Sequence, residues 1–266
     1  MTNRASKGNI YNAVISEIFR RHFVPGVEQF EFTRSELEEV GLKLGLDPKN
    51  LGDVIYAYRF RRPLPKEITD TEPQDLQWII ELAGRAIYKF RLERINRIVP
   101  NTNLIQIKLP DSTPEIISQY SSGDEQALLT KIRYNRLIDI FLAVTAYSLQ
   151  NHLRTTVSGV GQIEIDELYV ALNRNGTQFI VPVQAKGGND KIGIVQTKQD
   201  IAYCSEKFPE LVCRTVSAQF INNNLIAMFE LTIDEGEIKV IREKHYKLVS
   251  ANQISETDLQ NYKNIE

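Results

Sequence analysis

Cysteine and histidine are scarce in this chain. Two cysteines, Cys204 and Cys213, and three scattered histidines, His22, His152 and His245, exclude a disulfide framework and the ligand spacings of a structural zinc site. Reduced, buried thiols and surface or capping histidines are expected instead. No apolar run approaches the roughly 18–20 residues of a membrane span, and the N-terminal stretch lacks the apolar centre of a signal peptide. A cytoplasmic protein without a membrane partner is therefore expected. Neither sign of charge dominates: 32 Lys and Arg against 34 Asp and Glu leave a formal net charge of −2. That excludes a globally basic surface but not a local basic face. Repeats and low-complexity tracts are also absent. What remains is an ordinary globular composition, and 266 residues suffice for one large domain or two modest ones.

The N-terminal half reads as helices followed by a hairpin. Ile10, Val14, Ile15, Ile18 and Phe19 recur at a helical period over 9–23, and Pro25-Gly26 ends the run. Thr33 with Glu36 has capping-box spacing and predicts a helix to about Leu44, with Gly45 beyond its end. A third helix is expected from Pro48 through LGDVIYAYRF. Three short helices followed by RFRRPLP resemble a helix-turn-helix or winged-helix arrangement. In 76–99, Ile87, Lys89 and Arg91 alternate with Tyr88, Phe90 and Leu92, which predicts a hairpin turning at Gly84. Pro100, Pro110 and Pro114 among Ser, Thr, Asn and Gly mark a linker. The resulting boundaries are 1–110, a linker at 111–124, and a second domain at 125–266.

The second domain begins with EQALLTKIRYNRLIDIFLAVTAYSLQNHL, which holds no Gly or Pro and reads as one long helix. Two strands, 162–172 and 178–186, follow across the turn signal NRNGT. A helix is expected at 191–207 and strands near 211–217 and 225–233, an α/β plan with a mixed sheet flanked by helices. Pro182 predicts that its strand is an edge or bulged.

Chemistry concentrates on the two paired strands. Alternate residues share a face, so Glu164 and Asp166 project together from one strand, as do Gln184 and Lys186 from the other. A carboxylate, an amide oxygen and an ammonium side by side on an otherwise apolar sheet cost stability unless something compensates. Mg²⁺ would compensate, since it takes hard oxygen ligands and keeps several waters. Asp166, Gln184 and the Ala185 carbonyl are its candidate ligands. Lys186 is then placed to lower the pKa of an attacking water or to neutralise charge developing at phosphorus. A charged hairpin is ordinarily a solvated sheet face; here the apolar FIVPV, ending in two polar residues on one face, argues for a site. Glu167 points to the opposite face and reads as structural.

These residues resemble the PD-(D/E)XK nuclease superfamily, whose signature is an acid on one strand and an acid-x-Lys tripeptide on the next. EID at 164–166 stands for the first part and QAK at 184–186 for the second. Glutamine in place of the tripeptide acid resembles the Mrr-like branch. The resemblance implies a restriction-endonuclease-like fold, phosphodiester hydrolysis with a single Mg²⁺, and an acid on the helix before the hairpin, with Asp139 the nearest candidate and Glu125 a poorer one. Gln199-x-x-x-Tyr203, with Gln196, resembles the polar helix of RecB-like members. Glu164 is the residue best placed to supply the charge missing at Gln184.

Two basic clusters are candidate DNA contacts: Arg59, Arg61 and Arg62, and Arg85, Lys89, Arg91, Arg94 and Arg97, with Glu81 and Glu93 opposing the latter. Arg154, Gln196 and Gln199 are candidates near the site. The function expected from all of this is a type II restriction endonuclease acting on double-stranded DNA as a homodimer, with a companion methyltransferase. Its rivals are a modification-dependent, Mrr-like endonuclease and a non-catalytic DNA-binding regulator with a degenerate nuclease fold.

Overall fold

The apolar stripe near the N-terminus forms α1 (Lys7–His22), whose buried face carries Tyr11, Val14, Ile15, Ile18 and Phe19. A strand not expected from the sequence follows, β1 (Gln29–Thr33), although Phe30 and Phe32 do alternate with polar neighbours. Thr33 caps α2 (Arg34–Lys43) in the expected capping box: its hydroxyl accepts from Glu36 N–H, and its own N–H donates to Glu36 Oε2 at 2.7 Å. Then come α3 (Leu51–Phe60), α4 (Lys66–Thr69), β2 (Leu76–Gly84) and β3 (Ile87–Arg94). The expected hairpin is present, with its turn at Arg85 and Ala86 and a left-handed φ of 61° at Ala86. The three strands form an antiparallel sheet in the order β1-β3-β2.

Register explains why this sheet packs on α1. Phe90 of β3 lies opposite Phe30 on one side and Ile80 on the other. Its ring is fully buried, 5.2 Å from those of Phe19 and Phe30, 5.4 Å from Phe32 and 6.2 Å from Trp78. Tilted and edge-to-face aromatic contacts of this kind add to the area they bury.

The computed structural model describes residues 7–47, 51–60, 62–94, 98–120, 125–187, 192–222 and 224–263. The chain divides into two units, Met1–Ile95 with Thr156–Gln162, and Asn96–Thr155 with Ile163–Glu266. The boundary falls earlier than residue 110 because β4 (Gln106–Pro110) belongs to the second unit's sheet, where it pairs parallel with β11 (Glu237–Val249). The stretch read as linker is likewise partly built in. It contains α5 (Glu115–Tyr120), and Asp111 N–H donates to the Val249 carbonyl at 2.8 Å; residues 121–124 lie outside the described ones.

The long helix expected from Glu125 is three elements: α6 (Glu125–Tyr134), α7 (Leu137–Leu142) and β5 (Thr145–Val157). Left-handed Arg136 (φ 49°) and Ala143 (φ 53°) make the breaks without glycine. β5 then joins β6 (Gly161–Leu172) in the sheet, so tertiary pairing overrides a helix-compatible composition. β7 (Gln178–Lys186), α8 (Ile194–Lys207), β8 (Val212–Cys213), β9 (Thr215–Asn222), β10 (Leu225–Asp234), β11 and α9 (Glu256–Tyr262) complete the unit.

Its eight-stranded mixed sheet runs β4-β11-β10-β9-β7-β6-β5, with β8 beside β7. Pro182 sits inside this sheet, not at an edge as expected. Beyond β7 on that side, β8 pairs with Phe179 and Ile180 and β9 with Val183 onward. The missing N–H therefore falls where one partner strand hands over to the next. One sheet face packs Val181, Val183, Ala185, Ala218 and Met228 under Leu128 and Ile132 of α6 and Phe141 of α7. On the other face, Ala227 and Phe229 join Ile98 and Ile192, with Ile194 and Ile201 of α8 against them.

Phe90→Ala would open a cavity at the centre of the first unit's aromatic cluster and lower its stability by roughly 3–5 kcal/mol. Trp78 is the sole tryptophan, so urea unfolding followed by its fluorescence reads this unit directly. An unchanged midpoint would contradict the packing described.

Candidate active site

β6 and β7 pair antiparallel from Leu172↔Gln178 to Glu167↔Val183, and the ladder goes no further. From Val183 onward β7 instead pairs parallel with β9. The next rung would have set Asp166 opposite Gln184. Where strands part, backbone groups must find other partners, and here side chains provide them. Ala185 N–H donates to Asp166 Oδ2 at 2.8 Å, and the Glu164 carbonyl accepts from Gln184 Nε2 at 3.0 Å.

Gln184 is 2% exposed. Its Nε2 also donates to both carboxylate oxygens of Asp200 on α8, at 3.1 and 3.0 Å. Asp200 is itself buried, which pushes its carboxyl well above the usual aspartate range, while the Gln184 hydrogen bond acts in the opposite direction. With its nitrogen end committed, Gln184 has an Oε1 that is buried and, among the described residues, without a hydrogen-bond partner. Such an orphan acceptor costs about 1–3 kcal/mol. Ser217, the register neighbour of Gln184 on β9, and Gln199 of α8 also carry buried unpartnered atoms, Oγ and Nε2. This side of the sheet is polar and under-satisfied.

Lys186 is 7% exposed, with Nζ 3.4 Å from Glu125 Oε1 at the start of α6. Burial pushes the Asp166 carboxyl up to about 6. The Ala185 N–H and the Lys186 ammonium pull it back down, and the Glu125 and Glu164 carboxylates raise it further. Asp166 thus feels the charge of Glu125, Glu164 and Lys186 together. Glu164 also holds Arg154 Nη2 at 3.1 Å.

The acid contributed by the preceding helix is Glu125, not Asp139. Asp139 instead clamps the turn into β5: its Oδ1 accepts from Ala146 N–H at 3.0 Å and pairs with Arg136. Sequence spacing pointed to Asp139 because 125–153 was read as one helix; the break at Arg136 re-aims it. Glu167 faces away as expected, fully buried, with Arg133 Nε and Ser148 Oγ donating to it at 3.0 Å. The residue that sequence reasoning missed is Asp200. A lone aspartate between a glutamine and an apolar helical stripe carries no local signal.

The candidate DNA contacts divide. In the first unit Arg62 is exposed beside the Tyr58 ring, 5.8 Å from its centroid, and Arg85 is exposed at the β2–β3 turn. Lys89 is partly buried on β3. Arg59 is folded in; burial lowers its guanidinium pKa, and Tyr88 and Glu81 act the other way. Arg91 is held by Glu81 Oε1 at 2.9 Å and by Glu93, so its charge is neutralised locally. Arg61 and Arg97 lie outside the described residues. In the second unit Arg154 is exposed and Gln196 partly buried. Gln199 is 5% exposed, with Tyr203 buried beside it on α8.

Among the described residues no group of three or more His, Cys, Asp and Glu side chains is arranged to hold a metal ion. What the site offers a cation is Asp166, the orphan Gln184 Oε1 and nearby carboxylate charge from Glu164 and Glu125. That donor set fits a hard ion that retains most of its water shell, such as Mg²⁺, and fits no ion that demands a full cage of protein ligands. No protein-family model, no curated protein and no solved structure matches this chain.

Asp166 yields a stability prediction. Its carboxyl is raised from 3.8 to about 6 in the folded state. Its contribution to stability is therefore full below about pH 4 and is lost as pH rises through 6. Asp166→Asn keeps an oxygen for the Ala185 N–H but cannot ionise. In metal-free buffer at pH 8 the variant should be more stable than the parent by on the order of 2–3 kcal/mol, the difference vanishing near pH 4. Chemical denaturation across that range checks it, and a less stable variant at pH 8 would contradict the assigned environment.

Proposed function

We propose that the second unit is a Mg²⁺-dependent nuclease of the PD-(D/E)XK type and that the chain is a site-specific endonuclease of double-stranded DNA, of the type II restriction kind. The observation that carries this reading is the strand fork. Where β6 leaves β7, Asp166 accepts from Ala185 N–H and feels the Lys186 ammonium, Gln184 carries a buried oxygen without a partner among the described residues, and Glu125 approaches Lys186 from the preceding helix. A buried acceptor without a partner beside a carboxylate of raised pKa is a configuration that function, more than folding, explains.

Asp166, Gln184 and the Ala185 carbonyl would hold the metal. Bound there, Mg²⁺ supplies Lewis-acid charge to a phosphodiester. Lys186, buried on the same strand face, places a positive charge where the phosphate gains negative charge during attack. Glu125 holds the Lys186 ammonium, and Glu164 adds charge next to Asp166.

The first unit supports a DNA-reading role. Its element order, with β1 beside β3 and a β2–β3 hairpin, resembles a winged helix, in which α3 would enter the major groove and the hairpin would carry Arg85 to the backbone. Lys89 and Arg62 would add phosphate contacts. A double-strand cut needs two sites, hence a homodimer, and an unmodified-site specificity implies a companion methyltransferase. Gln184 favours a second reading, a modification-dependent endonuclease, because Q-x-K is the variant that the Mrr-like branch carries.

Incubating the protein with methylated and unmethylated phage DNA and Mg²⁺ tests these readings. Discrete fragments from unmethylated DNA alone are expected, abolished by chelation. Lys186→Ala and Asp166→Ala should each lower the rate at least about a hundredfold. Cutting of methylated DNA alone selects the second reading. No cutting leaves a DNA-binding regulator in place of an enzyme, and full activity in both variants overturns this site as the source of cleavage.

A further inference from the structure

The Gln184 amide has two chemically different ends, and its hydrogen bonds commit the nitrogen end to β6 and α8. Its Nε2 has two protons and three acceptor oxygens around it: both carboxylate oxygens of Asp200 and the Glu164 carbonyl. The Glu164 carbonyl cannot donate in any state, so rotating the amide by half a turn would set Oε1 against it and forfeit that hydrogen bond. Asp200 is 1% exposed and, among the described residues, has Gln184 as its hydrogen-bonding partner. A buried carboxylate with so specific a partner is an expensive arrangement unless the orientation it enforces is used.

On the nuclease reading above, we infer that Asp200 is a positioning residue that locks the Gln184 amide with its oxygen toward the metal. The same contact accounts for glutamine, not an acid, standing at the head of the QAK tripeptide. A glutamate there would bring two carboxyl groups together with no N–H between them. Asp200 touches neither metal nor substrate in this arrangement; it orients Gln184 and also lies within electrostatic reach of Asp166 and Lys186.

Manganese binding to the full chain without DNA tests the inference, because Mn²⁺ shares the oxygen preference of Mg²⁺ and its free fraction is read by electron paramagnetic resonance. Melting temperatures are measured in parallel. Asp200→Leu removes the acceptor while keeping the volume. Mn²⁺ affinity should fall at least about tenfold while the metal-free melting temperature is kept or raised. Asp200→Asn retains an oxygen for Nε2 and should stay within about threefold of the parent. Gln184→Glu alone should bind Mn²⁺ more weakly than the parent. The double variant Gln184→Glu/Asp200→Asn, in which the donor has moved to position 200, should bind at least as tightly as the parent. Equal Mn²⁺ affinity in Asp200→Leu and the parent overturns the role of Asp200 alone, as does a Gln184→Glu variant that binds more tightly than the double variant. If Asp200→Leu does not fold, that second comparison decides. A parent chain that binds no Mn²⁺ at millimolar concentration overturns the metal site itself, and with it the nuclease reading on which this inference rests.

Discussion

The parting of β6 from β7 is the constraint on which the candidate site depends. A regular antiparallel ladder through 164–166 and 184–186 would have satisfied every backbone group and left Asp166 and Gln184 as two polar side chains on a sheet face. Because the ladder ends at Glu167↔Val183 and β7 continues against β9, Ala185 N–H and the Glu164 carbonyl turn to Asp166 and Gln184 instead. Backbone satisfaction is thereby transferred to the residues that would do chemistry. Their orientation is set by hydrogen bonds the fold cannot do without, a more rigid support than packing alone.

Charge is distributed around this fork in a graded way. Lys186 meets Glu125 at the mouth, Asp166 sits between positive and negative neighbours, and Asp200 lies deepest, tied to an uncharged amide. Each carboxylate pays a desolvation penalty that grows with depth, visible as the raised carboxyls of Asp166 and Asp200. On the opposite sheet face the buried Glu167 is paired through Oε1 with Arg133 and Ser148.

Much of the framework was legible in the sequence because it rests on local rules. The α1 stripe, the Thr33–Glu36 capping box, the 76–94 hairpin and the 162–186 hairpin all follow from spacing and turn chemistry. What was not legible had non-local causes. β5 was hidden in a run without Gly or Pro, since left-handed Arg136 and Ala143 leave no compositional mark. β4 was read as the margin of a linker, since its pairing partner β11 lies more than a hundred residues further along the chain. The same misread helix put Asp139 ahead of Glu125. Gln199 is turned inward on α8, and of the acids opposing the second basic cluster both Glu81 and Glu93 pair with Arg91.

For the site the division is similar. Strand parity alone placed Glu164 and Asp166 on one face and Gln184 and Lys186 on another, because a two-residue repeat is a property of any extended chain. Which end of the Gln184 amide faces the fork, which acid approaches Lys186, and where the ladder stops were decided only by tertiary structure. Those depend on Asp200 and Glu125, residues 16 and 61 positions away from their partners, and no local pattern encodes a hydrogen bond across that separation. The types of chemistry available were written along the chain; the direction in which each group points was set by folding.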